Sequence, residues 1–175
     1  MKLKNTLTEY GAISKIFHWI SAAVLIIQIP LGMYLVDMDF SEKRLTVENI
    51  HVAVGISIFY LTILRLIYKT FNPTPNLNNS IFPGQRIIAK LNHVFLYISI
   101  LIITISGALK KLYNGEELNI LFFNLKIQDN FDLAEIFYEI HILSNYTLIA
   151  LISLHISAVI IHKILFKENL LKKIL

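Results

Sequence analysis

Apolar residues along this chain gather into four long runs, and the polar residues gather between them. The runs lie over about 16–36 (FHWISAAVLIIQIPLGMYLV), 50–68 (IHVAVGISIFYLTILRLIY), 91–109 (LNHVFLYISILIITISGAL) and 140–163 (IHILSNYTLIALISLHISAVIIHK). Each approaches the roughly 20 apolar residues that a helix needs to cross a hydrocarbon core of about 30 Å. The pattern predicts an all-α membrane protein in which residues 1–175 form a single domain of four transmembrane helices. Pro30 falls inside the first run with apolar sequence on both sides, so a kink is expected there rather than an end. Between the second and third runs, KTFNPTPNLNNSIFPGQRIIAK cannot be helical through NPTP and reads as a loop. Residues 112–138 form the longest connection, acidic and mixed. Its apolar patch Ile120-Leu121-Phe122-Phe123 is expected at the membrane interface.

Composition narrows the class. Hydrophobic residues make up 55% of the chain and mean hydropathy is +0.62, above the roughly 45–50% apolar share of soluble domains. The formal net charge of +4 does not indicate nucleic acid, because the Lys and Arg residues cluster between apolar runs instead of covering one solvated face. With no cysteine, the chain has no thiolate metal site, iron–sulfur cluster or covalent haem attachment, so any cofactor is held non-covalently. The first run exceeds a signal-peptide core and no small-x-small cleavage site follows it, so it is expected to remain as a membrane helix.

The loops also carry an orientation. Lys2, Lys4, Lys15, Arg65, Lys69, Arg86, Lys90, Lys163, Lys167, Lys172 and Lys173 fall on the side of the termini, against Glu9 and Glu168 alone. The other side holds Lys43, Arg44, Lys110, Lys111 and Lys126 against the remaining acids. The positive-inside rule therefore predicts cytoplasmic termini.

Histidine is the candidate chemistry. His141, His155 and His162 stand 14 and 7 residues apart, steps that return to within about 40° and 20° of one helix direction. Along the axis His141 and His155 are separated by about 21 Å, so one helix offers imidazoles at two depths. The same step of 14 links His18 to Gly32, His51 to Arg65 and His93 to Gly107. Fourteen is two heptads, which keeps all four couples on the seam of a left-handed bundle.

Sorted by depth, His51 and His141 share an outer layer with Gly32 and Gly107, whose missing side chains leave room for a flat macrocycle. The inner layer holds His155, Arg65 and two possible partners, His18 and His93, between which spacing does not decide. Paired neutral imidazoles on either side of a plane suit bis-histidine haem, which transfers electrons without binding oxygen. Two such layers predict two b haems and a transmembrane electron path. Arg65 either pairs with haem propionates or snorkels to the interface.

The chain also resembles the bacterial cytochrome b561 family of four-helix, di-haem inner-membrane proteins. The resemblance spans nearly the whole length and rests most on KIFHW, NIHVAVGISIFYLTILRL, the NPTP loop and IHILSNYTLIALISLHISAVIIHKILFKENLL. It implies His18 with His155 for the inner haem and His51 with His141 for the outer one. Two departures leave the ligands intact: His162-Lys163 stands where the family often has His-His, and Ile140 where it often has Trp. The resemblance further implies electron transfer from a periplasmic donor to membrane ubiquinone, with superoxide as the donor in some members. His93 and His162 are then candidates for quinone binding or proton delivery, or else packing histidines. The outer loops are net acidic, so only Lys43, Arg44, Lys110 and Lys111 could attract a superoxide anion locally. Two other classes remain open: a cytochrome b anchor subunit of a larger dehydrogenase or hydrogenase, and a histidine-based metal transporter. The transporter is disfavoured because no Asp or Glu lies within the four runs.

Overall fold

The computed structural model describes residues 2–75, 83–120 and 123–175. Its elements are α1 (Ala12–Val36), α2 (Glu42–Thr70), α3 (Gln85–Tyr113), β1 (Leu118–Ile120), β2 (Phe123–Leu125) and α4 (Phe131–Ile164), followed by a 3-10 turn at Leu170–Lys173. All four α-helices are long and apolar enough to cross a membrane, with mean hydropathy of 1.9–2.0 over their best windows. Large side chains such as Ile26, Ile27 and Leu143 point outward at 71%, 68% and 69% exposure, as a lipid-facing surface requires. Pro30 sits inside α1, which continues past it.

The helices outrun the apolar blocks. α2 starts at Glu42 because the Ser41 hydroxyl caps it, accepting from the Arg44 backbone N–H at 3.2 Å. α4 starts at Phe131 because the Asn130 side chain accepts from the Leu133 N–H at 3.0 Å. At 34 residues, α4 is the longest of the four, and its first turns extend beyond the apolar run that marks its span. The NPTP segment is non-helical as far as Pro75. After Tyr113 the connection forms an antiparallel ribbon pairing Leu118 with Leu125 and Ile120 with Phe123, with Leu118 buried to 2% exposure. Leu121 and Phe122 of the expected interfacial patch lie outside the described residues.

The core sits midway along the bundle. Ile58, Ile100 and Leu148 are buried together, with Leu25 packed against them. These four positions are the halfway points of the four 14-residue couples, one heptad from each end. The bundle thus has three tiers: an apolar middle and a polar tier on each side. Both chain ends meet at one end of it, where Trp19 Nε1 donates to the Ile174 carbonyl at 2.9 Å and Lys15 contacts the Leu175 carbonyl. That end is called terminal below, and the opposite one distal.

Candidate functional site

The distal tier is a cavity of about 340 Å³ lined by Gln28, Gly32, Arg44, Glu48, His51, Gly107, Lys110, Lys111 and His141, among others. His51 on α2 faces His141 on α4, with ring centres 6.2 Å apart and planes at 75°. Each ring lies against a glycine on its neighbouring helix. A Cβ at Gly32 would stand 2.8 Å from His51 Cε1, and one at Gly107 would stand 2.8 Å from His141 Cε1. That is closer than carbon–carbon contacts allow, so a side chain at either glycine would displace the ring it faces. His141 Nδ1 donates to the Ile103 carbonyl at 2.8 Å, which leaves the Nε2 lone pair facing the cavity. This is how a metal-ligating histidine is ordinarily oriented. His51 Nδ1 is buried and has no partner.

In the terminal tier, His155 stands between two imidazoles, 6.4 Å from His18 and 5.2 Å from His93. With metal–nitrogen bonds of about 2.0 Å and ring radii of about 1.2 Å, two trans imidazoles on one metal have centres about 6.4 Å apart. His51–His141 and His18–His155 have that separation, and His93–His155 is about 1 Å short of it. The glycine cradles and an all-imidazole donor set thus fit b-type haem. Among the described residues, no group of three or more His, Asp or Glu side chains converges as a cage for a bare metal ion.

The other sequence candidates fall as follows. Arg65 Nη2 lies 3.1 Å from His18 Nδ1, and its guanidinium covers the Tyr97 ring at 5.4 Å. Lys69, one turn on, covers the same ring at 5.0 Å. His93 hydrogen-bonds to the Ala89 carbonyl one turn back. His162, 7% exposed, is enclosed: its Nδ1 lies 3.1 Å from Glu168 and its Nε2 lies 3.0 Å from the Gln85 amide. At the distal mouth Lys110 pairs with Glu48 at 3.3 Å and Lys111 pairs with Glu116. Arg44 donates to the Leu35 carbonyl at 2.9 Å and also to that of Met38, closing the end of α1. Lys43 is exposed.

Three contributors were not among the candidates of the sequence reading, and each left a trace there. Lys69 follows Arg65 by four residues, the spacing that puts both on one face. Glu48 precedes His51 by three on the same principle. Gln28 is a lone amide inside VLIIQIPLG, four residues before Gly32.

Comparison with known proteins gives the family. Residues 9–175 match the family model described as prokaryotic cytochrome b561. The chain is also 25% identical over 179 aligned positions to cytochrome b561 homolog 2 of Escherichia coli (strain K12), covering 100% of this chain and 95% of that protein. The chain therefore belongs to the prokaryotic cytochrome b561 family, whose members are multi-pass membrane proteins that bind b-type haem and transfer electrons across the membrane.

Proposed function

We propose that this chain binds two b haems, one through His51 and His141 at the distal end and one through His18 and His155 at the terminal end. In this reading it oxidises periplasmic superoxide to oxygen and reduces membrane ubiquinone. The observation that supports the two haems is the pair of facing imidazoles at two depths, 6.2 and 6.4 Å between centres; superoxide and ubiquinone come from the family resemblance. A bis-imidazole haem, when bound, exchanges one electron without offering its iron to oxygen. Two superoxide anions supply the electrons, and two protons complete the conversion of one ubiquinone to ubiquinol. The lysine-rich terminal end is cytoplasmic by the positive-inside rule, in a bacterial inner membrane.

The side chains divide the work. His141 is held ready by the Ile103 carbonyl. Arg65 can only donate, so its contact with His18 uses the Nδ1 lone pair of that ring. A His18 holding the group through Nε2 would carry its proton on Nδ1, which would free Arg65 to neutralise an acidic group of the cofactor. His93 is the better-placed quinone candidate, since His162 is already engaged on both ring nitrogens.

A second reading, an electron-relay or anchor subunit of a larger dehydrogenase or hydrogenase, draws support from the distal mouth. Three of its four cations are occupied by Glu48, Glu116 and backbone carbonyls, which leaves little free positive charge to steer an anion. Co-purification with periplasmic subunits would favour that reading. The primary test is a reduced-minus-oxidised spectrum with a pyridine haemochrome count on purified protein. Two b haems per chain are expected, and one or none overturns the arrangement. Stopped-flow mixing with superoxide tests the donor: oxidation no faster than by free haem removes superoxide and leaves the relay.

A further inference from the structure

The two distal histidines lie in matching cradles but are tethered differently. One helical turn before Gly107, residue 103 presents the carbonyl that accepts from His141 Nδ1 at 2.8 Å. The matching position before Gly32 is Gln28, since 107 − 4 = 103 and 32 − 4 = 28. There the bond is missing, and His51 Nδ1 is buried without a partner. Gln28 is 8% exposed and lines the same cavity. Its Nε2 donates to the His51 backbone carbonyl at 2.7 Å, which anchors the amide beside that residue. Its Oε1 is also buried and without a partner. A donor and an acceptor are left unmade in one residue pair, which is costly when both are buried, and each is what the other lacks.

We propose that Gln28 is the positioning residue of His51: its Oε1 accepts the His51 Nδ1–H, fixing the ring so that Nε2 faces the cofactor. The proposal rests on the reading that His51 and His141 hold the distal haem. An acceptor on the outer ring nitrogen makes the ligating nitrogen more basic, which favours the oxidised iron and lowers its potential. Gln28 would supply from α1 the function that the Ile103 backbone supplies from α3, and the distal haem would be held by two matched imidazoles.

The test is a redox titration that resolves the two haems of the purified holoprotein, with the terminal haem as internal reference. Gln28→Leu removes the acceptor and is expected to raise the distal potential by an amount of the order of a tenfold change in its one-electron equilibrium, about 59 mV. The low-spin ferric EPR signal of that haem should broaden as the ring loosens. Gln28→Glu retains an acceptor and should hold the distal potential at or below that of the unmodified protein. If Gln28→Leu fails to fold, Gln28→Met tests the same loss at closer volume. A packing role alone would lower yield or melting temperature and leave the potential of the retained haem unmoved. An unshifted distal potential in the apolar variants overturns the proposal, with the Gln28 backbone carbonyl then the partner to examine. His51→Ala separates the two levels of failure: if it keeps both haems the ligand reading falls, and if it loses one while the Gln28 variants are silent, only the Gln28 proposal falls.

Discussion

At Gly32 and Gly107 the usual sign of a helical glycine-to-alanine change is reversed. Inside a helix the change ordinarily stabilises by about 0.5–1 kcal/mol. Here the added carbon meets an imidazole carbon at 2.8 Å, so the ring must swing away from the place it holds in the cavity. Gly107→Ala and Gly32→Ala are expected to yield folded protein lacking the distal haem, read from the haemochrome count. His51→Ala and His141→Ala should give the same loss and spare the terminal haem, because each would leave one imidazole in a site built for two. His18→Ala and His155→Ala should show the complementary pattern. A haem kept in His18→Ala but lost in His93→Ala would exchange the terminal partners. His162 belongs to a different group. Its bonds to Gln85 and Glu168, with Lys173 reaching Glu168 at 3.6 Å, fasten the last turn of α4 to the tail. His162→Leu is therefore expected to lower the melting temperature, at about 1–3 kcal/mol for the stranded partners, with quinone reduction unchanged.

Among the elements, the four spans were legible because lipid selects for continuous apolar sequence, and the histidine tiers because two heptads preserve a helix face. The helix ends were not legible from hydropathy. Glu42, Glu48, Asp132, Glu135 and Glu139 look like loop to a reading that tracks the solvent, yet they sit on helices that Ser41 and Asn130 start. The caps were the available signal. The ribbon at Leu118–Leu125 gave less warning, since six paired residues carry too little alternation to separate a strand from an interfacial patch. Its approach is secured by Glu116. Partial burial pushes that carboxyl up, but hydrogen bonds from Lys111 and Asn114, with the charges of Lys111 and Lys110, more than reverse this and hold it below its ordinary value. A carboxyl depressed in the folded state contributes stability that is present above its unfolded pKa, about 4.3, and is lost as pH falls through the lower folded value. Hydrogen-exchange protection in residues 112–120, taken relative to the intrinsic exchange rate at each pH, should therefore fall on acidification below about pH 4, and Glu116→Gln should remove that dependence.

For the molecule as a whole, the two histidine tiers of α4 lie about 21 Å apart along the axis, with Leu25, Ile58, Ile100 and Leu148 between them. Leu148, at 0% exposure, is the tightest point. Leu148→Ala is expected to destabilise the bundle by roughly 2–5 kcal/mol, read as a fall in melting temperature with haem content intact. The middle tier also bears on which carrier can cross. An electron can tunnel through saturated side chains, whereas a proton needs an unbroken file of hydrogen-bonding groups or water, and a dry apolar constriction denies it one. A file of water there would short-circuit a membrane potential worth about 2.3 kcal/mol per charge for every 100 mV. Four hydrocarbon side chains are expected to pass the one particle and hold back the other. Vesicles carrying Leu148→Asn should leak protons under a potential that the unmodified protein holds.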